Sequence, residues 1–366
     1  MSELIQKNDN RATIRWKLLT GASALALTAT VSSADVAIAE DTGQPPIWIT
    51  LGGQFAQTKN DLEVFNPDFL KSSPFGAESH LGLEKAPPNI WNKDATITFQ
   101  PDGSDWVFSA GIQYGKNSRR EERNQIISHV PYKYFYNAYQ DPLSYGSESH
   151  TILDFQVGKD VGLGRFGSDG RSVVSAGVRF AQFNSATDVD IKSQPTNHDA
   201  YQGNYYHFYA TFAAKRKFSG IGPSLSWDAS ADIAGNPSAG RITFDWGVNG
   251  SLLFGRQRTS TSHRTKENKI VYNTSHPPTP PYTGGHARVP VYNHFASSSR
   301  SRRVTVPNLG GFVGVSIRYS DAKVSFGYRA DYFFGVLDGG IDTAKKEDRA
   351  FYGPFASISI GIGIGD

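Results

Sequence analysis

The chain contains no cysteine and a single methionine, so disulfides and thiolate-ligated metals are excluded whichever compartment it occupies. Beyond residue 40 it lacks any apolar run near the eighteen or more residues that a membrane-spanning helix requires. Mean hydropathy is only -0.41, and the formal charge of +3 over 366 residues is too small to point to a partner of either sign. What the chain has instead is glycine, 37 residues, and aromatics at 13%, and these recur with a period of two.

Residues 310–335 carry the clearest pattern, reading as two strands joined by a tight Ser320-Asp321-Ala322 turn. In the second strand Val324, Phe326, Tyr328, Ala330, Tyr332 and Phe334 share one face, opposite Ser325, Gly327, Arg329 and Asp331. In the first, Val313, Val315, Ile317 and Tyr319 oppose Gly314, Ser316 and Arg318. A soluble sandwich would turn its charges to water. Here the small, glycine-rich face carries them, as it would if lipid surrounded the aromatic face. The pattern therefore predicts a transmembrane antiparallel up-and-down β-barrel.

Residues 1–39 read as a secretory signal peptide: Lys7, Arg11, Arg15 and Lys17 precede an apolar run over 18–31, and Ala37-Ile38-Ala39 supplies a small-x-small cleavage site. Residues 40–366 would form the barrel. Its first strand alternates Ile47, Ile49, Leu51 and Phe55 with Trp48, Thr50, Gly52 and Gln54. Further strands fall at 95–100, 106–114, 151–157, 174–180, 205–231 and 242–254, and the last alternates Ile358, Ile360, Ile362 and Ile364 with serine and glycine. Long polar segments at 59–93, 116–149, 184–203, 255–303 and 338–349 alternate with short turns, as in barrels whose turns face the periplasm and whose loops face outward. This counts to ten strands, with twelve left open should one have been missed. Splitting the run at Gly220-Ile221-Gly222-Pro223 would give eleven, against the even-number rule. One strand is preferred there, with 205–218 projecting above the membrane.

The stretches DFQVGKDVGLGRFGSDGRSVVSAGVRFAQF at 154–183 and FSGIGPSLSWDASADI through GVNGSLLFG at 218–255 resemble the Legionella major outer-membrane protein family. The resemblance implies a porin-like barrel in the outer membrane of a Gram-negative bacterium. The chain departs from that pattern in lacking cysteines, in its inserted basic loop, and in ending Gly365-Asp366 where many such barrels end in an aromatic residue.

Eight charged residues fall on the expected interior face: Asp154, Arg179, Asp228, Asp232, Asp245, Arg318, Arg329 and Asp331. They could line a pore and set its charge selectivity, or plug a narrow barrel with internal ion pairs. Inward glycines such as Gly52, Gly177, Gly247 and Gly327 leave space that favours a narrow pore. A long basic surface loop at 257–302, flanked by Arg256 and carrying Arg258, Arg264, Lys266 and Lys269, could attract anionic solutes or bridge lipopolysaccharide phosphates. Its bland alternative is a solvated, mobile segment with polyproline character at Pro277-Pro278 and Pro280-Pro281. The loop histidines have no metal-ligand spacing, and the GxGxxG at 162–167 precedes a strand, not a helix. An outer-rim hydrolase lacks a nucleophile signature. The sequence thus predicts a non-enzymatic, cofactor-free, porin-like passive channel for small hydrophilic solutes, surrounded by outer-membrane lipid and lipopolysaccharide, with homo-oligomerisation left open and no nucleic-acid partner. The alternative is a closed, surface-exposed barrel serving as adhesin or structural protein.

Overall fold

The computed structural model describes residues 46–59, 62, 65, 89–122, 138–161, 171–194, 204–236, 240–272 and 286–363. The expectations for the signal peptide at 1–39, the turn at 162–167, Ile364 and the C-terminal pair lie outside these residues. Ten strands follow in chain order: β1 (Ile47–Lys59), β2 (Asn89–Phe99), β3 (Trp106–Glu122), β4 (Ala138–Asp160), β5 (Arg171–Gln194), β6 (Asn204–Asn236), β7 (Gly240–Tyr272), β8 (His286–Tyr319), β9 (Ala322–Asp338) and β10 (Lys346–Ile362). Each pairs antiparallel with its neighbours in sequence, and β1 pairs with β10, closing the sheet into a barrel.

The short connections all lie at one end. Pro101 and Ser104 close the β2–β3 turn through a 3.1 Å backbone hydrogen bond, with Gly103 in the left-handed region at φ 67°. Between β8 and β9 the turn is only Ser320 and Asp321, and Ser320 takes φ 49°, the sign that two-residue hairpins require. β6 runs unbroken through Gly220-Ile221-Gly222-Pro223. Pro223 is exposed on the outer face, and a side chain at Gly222 would run into the Leu252 carbonyl.

Three of the segments expected to be loops on the opposite side, 116–149, 184–203 and 255–303, are strand over their described residues. β7 and β8 pair without a break in the hairpin from Gly255↔Val304 to Tyr272↔His286, apart from one bulge at Glu267/Asn268. So 257–272 and 286–302 are paired strand where a loop was expected, and Arg256, Arg258, Arg264, Lys266 and Lys269 are β7 residues, while the polyproline stretch at 277–281 lies outside the described residues. Likewise β5 continues to Gln194, β3 to Glu122, and β4 begins at Ala138. The physical reason is that paired neighbours satisfy the backbone where no apolar alternation marks a strand.

Outward side chains form an apolar belt. Along β7 it runs from Ile242 through Phe244 and Val248 to Phe254, all exposed. Twelve residue steps at about 3.4 Å, tilted by about 40°, span roughly 30 Å, the thickness of a bilayer's hydrocarbon core. Exposed Leu51, Ile97, Phe155, Val178, Leu225, Val315, Phe326 and Ile360 continue the belt around the barrel. At its turn-side edge the Trp227 indole donates to the Ser172 hydroxyl at 2.9 Å, giving an interfacial aromatic a polar partner. Water would not tolerate so continuous an apolar surface, so the barrel is a transmembrane one.

Val248 lies at the middle of the belt. Val248→Arg is expected to lower the stability of the protein refolded in lipid vesicles by about 2–4 kcal/mol, and Val248→Leu to leave it nearly unchanged. Urea unfolding followed by tryptophan fluorescence measures both.

Candidate functional site: the lumen

Inward side chains are set by parity with the belt, and β9 gives the order of layers from the turn side upward: Lys323, Ser325, Gly327, Arg329, Asp331, Phe333. The lowest layer is a vestibule. It holds a cavity of about 450 Å³ lined by Thr98, Ser175, Asp228, Asp245, Lys323 and Ser357 among others. Asp245 accepts from Lys323 Nζ at 2.8 Å, from Thr243 Oγ1 at 3.0 Å, and from the Ser316 hydroxyl. Asp232 and Arg318 lie at the turn-side mouth, Asp232 bonded to Arg241 at 3.1 Å and Arg318 stacked 4.8 Å over the Trp48 ring.

Above the vestibule, Arg179 grips Asp154 with both forks, Nε to Oδ1 at 2.7 Å and Nη2 to Oδ2 at 3.0 Å. Its Nη1 donates to Asn249 Oδ1 at 2.9 Å and to Asn308 Oδ1, so one guanidinium bridges β4, β5, β7 and β8. Opposite, Arg329 lies 5.0 Å over the Phe355 ring and 3.7 Å from Asp94. Asp331 is buried beside this layer. All eight charged residues expected on the interior face are there or at its mouth, but their contacts are taken up by other lumen groups: Arg179 by Asp154 on the next strand, and Asp232, Asp245, Arg318 and Arg329 by Arg241, Lys323, Trp48 and Asp94. The space beside the inward glycines is taken by neighbouring side chains: a side chain on Gly52 would strike Asp94, on Gly247 the Phe312 ring, and on Gly327 the Phe355 ring.

The next layer is apolar and was not expected. Phe183, Phe218, Phe333 and Phe351 point inward and are at most 1% exposed. Phe183 meets Phe333 edge-on at 4.9 Å and stacks on Phe351 at 6.1 Å, and His150 packs on Phe351 at 4.2 Å. Leu253, Val306, Ile90 and Ile152 complete the cluster. The signal for it was parity alone: Phe183 shares a face with Gly177 and Arg179, and Phe333 with Arg329 and Asp331.

Above the phenylalanines, Arg349 donates from Nε to Glu148 at 2.5 Å and from Nη1 to Glu347 at 2.8 Å, with all three side chains sealed from solvent. Higher still, residues 339–345 between β9 and β10 turn into the lumen. Arg300 latches them, donating to Asp338 Oδ2 at 3.0 Å, the Gly340 carbonyl at 2.8 Å and the Ile341 carbonyl at 2.9 Å. Thr261 adds a 2.8 Å bond to the Ile341 carbonyl, and His263 meets Asp342 at 3.0 Å. Burial alone would raise the Asp338 carboxyl, but the Lys345 N–H, the Arg300 guanidinium and the Gly340 N–H outweigh it and hold it below its usual value. No group of three or more His, Asp or Glu side chains suited to a metal occurs among the described residues.

No family model and no curated protein matches the chain. Among solved structures it is similar to the transport unit of the autotransporter AIDA-I from Escherichia coli, at 8% identity and TM-score 0.30 over 89% of this chain and 93% of that one. It is also similar to the Pseudomonas putida toluene transporter TodX, at 9% identity and TM-score 0.23 over 87% and 90%.

Arg349→Met strands two buried carboxylates and is expected to cost about 3–5 kcal/mol, most of it recovered when Glu148→Gln and Glu347→Gln are added. Equilibrium unfolding of the three proteins in one detergent checks this. A depressed carboxyl contributes stability above its unfolded value of about 4, and that stability is lost as pH falls through the folded value. The Gly340 and Lys345 amides, both donors to Asp338, should therefore keep their exchange protection from pH 8 to 5 and lose it below about pH 4, after correction for intrinsic exchange rates.

Proposed function

We propose that this protein is an outer-membrane barrel, closed across its middle, that anchors a tall extracellular β-wall as a surface-exposed structural or adhesive element. The observation that carries the reading is the phenylalanine layer, in which four fully buried rings from β5, β6, β9 and β10 pack against one another and against His150 inside the lumen. Ten strands at 4.8 Å spacing and about 40° tilt make a cylinder of roughly 10 Å backbone radius, which side chains from opposite walls can fill. Support for the outer membrane comes from the belt, the closed antiparallel ladder and the gathering of the shortest connections, β2–β3, β6–β7 and β8–β9, at the end opposite the tall wall, the arrangement of barrels whose turns face the periplasm.

A second reading keeps a specific observation: the vestibule of about 450 Å³ opens the periplasmic half of the lumen. It would serve a porin-like channel for small solutes only if both the phenylalanine layer and the latched 339–345 segment gave way. Planar-bilayer recording separates the two. The wild-type protein should show no steady conductance steps, and neither should a variant lacking residues 339–344. Adding Phe183→Ala, Phe333→Ala and Phe351→Ala to that deletion should open one. Steady steps from the wild-type protein would reject the closed barrel in favour of the channel.

A further inference from the structure

The outer wall carries a second unusual feature, immediately above the belt on the side of the long strands. Lys217 on β6 lies directly opposite Arg258 on β7, and Arg256 on β7 directly opposite Arg303 on β8. All four point outward and are exposed. Directly opposed like charges destabilise a sheet, and here two such pairs occupy adjacent rows. Their row neighbours are neutral: Asn184 beside Lys217, Ser301 beside Arg258, Ser219 beside Arg256. None of the four forms an ion pair with any described residue, and β8 carries no carboxylate that could reach them. One step below them on β7 comes Phe254, and on β6 below Ser219 comes Ile221, both exposed members of the belt.

The ground beside this cluster is concave. A groove of about 400 Å³ runs along the outer wall across β3 to β8, lined by Lys116, Asn184, Lys215, Lys217, Arg258 and Ser260 among others. Lys116 and Lys215 are outward and exposed, so the groove adds two more cations to the cluster. A ligand that fits must bring concentrated negative charge to the top of the apolar belt while remaining in contact with that belt below. Free anions meet the first condition and not the second. Guanidinium pairs suit phosphate oxygens by bidentate bonding, and the ammonium groups add point charge.

We infer that Lys217, Arg256, Arg258 and Arg303, with Lys116 and Lys215 in the adjoining groove, form a site for the phosphate groups of a phosphorylated glycolipid of the outer leaflet. The phosphates lie across the paired cations and the acyl chains lie against Phe254 and Ile221. Arg264 and Lys266, higher on β7, face outward above the site and extend its positive field toward further anionic headgroup substituents. The site rests on the outer-membrane reading, because only that orientation puts the long-strand side against the phosphorylated leaflet.

The test uses the full barrel refolded into phosphatidylcholine vesicles, with bisphosphorylated lipid A added as probe and retention scored by mass spectrometry after mild detergent extraction. Wild-type protein should retain lipid A at least ten-fold better than its dephosphorylated form, and 10 mM inorganic phosphate should not compete. Replacing Lys217, Arg256, Arg258 and Arg303 with serine should abolish the preference while leaving heat-modifiable migration on gels unchanged. Equal retention of the two lipids by wild-type protein would overturn the site even if the variant failed to fold. So would an undiminished preference in the folded variant, and competition by free phosphate would assign the cluster to soluble anions instead. Failure of wild-type protein to enter phosphatidylcholine bilayers at all would reject the membrane reading and the site with it.

Discussion

A strand that enters lipid leaves its N–H and C=O groups without water, at a cost of several kcal/mol for each one unpaired. The seam between β1 and β10 removes that cost. Its register runs from Ile47↔Ile362 to Lys59↔Ala350 and leaves no edge strand in the ring. Closure then fixes everything else by parity. Once Ile47, Ile49 and Leu51 face the acyl chains, Thr50, Gly52 and Gln54 must face the lumen, and each neighbouring strand inherits its faces from the register. A slip of one residue anywhere would put Arg179 or Asp245 into lipid, which is why the pattern is held so uniformly.

The interior follows from the size of the ring. Ten strands enclose a lumen narrow enough for side chains of different strands to meet, so charged residues turned inward to spare the lipid find partners among one another. Arg179 does this by bonding partners on three other strands, and Asp245 by collecting Lys323, Ser316 and Thr243. Such pairs seldom add much net stability after desolvation. Their role here is positional: they brace strands that are distant in sequence, and the dry packing of the phenylalanine layer supplies the burial.

The membrane-spanning part of this fold was legible because lipid imposes a strict alternation of large apolar and small polar side chains, as Val313 to Tyr319 and Val324 to Phe334 display. Above the membrane that constraint lapses. Residues such as Thr259, Ser260, Thr261 and Ser262 face water on one side and a polar lumen on the other, so the ladder from Gly255 to Tyr272 has no apolar signature and reads as loop. The inward charges were legible by the same alternation, but their mutual pairing was not, because contacts such as Arg349 with Glu148 join residues 201 positions apart. The phenylalanine layer fell between the two cases. It obeys parity, yet it breaks the expectation that apolar means outward, which holds only where the lumen carries water.

Two barriers at different heights decide how the lumen can behave. The segment 339–345 is held by polar bonds to Arg300 and Thr261, contacts that water could replace group for group if the segment swung outward. The phenylalanine rings below have no such substitute, since separating them exposes apolar surface at about 25 cal/mol per Å² with nothing gained in return. In the proposed closed barrel, release of the upper segment therefore uncovers the packed phenylalanine layer and not a passage. Because the rings come from β5, β6, β9 and β10, clearing that floor would mean turning several side chains at once inside a closed sheet whose walls cannot spread without breaking backbone bonds in lipid. On the closed reading, the same ladder that makes insertion possible also keeps the middle of the barrel shut.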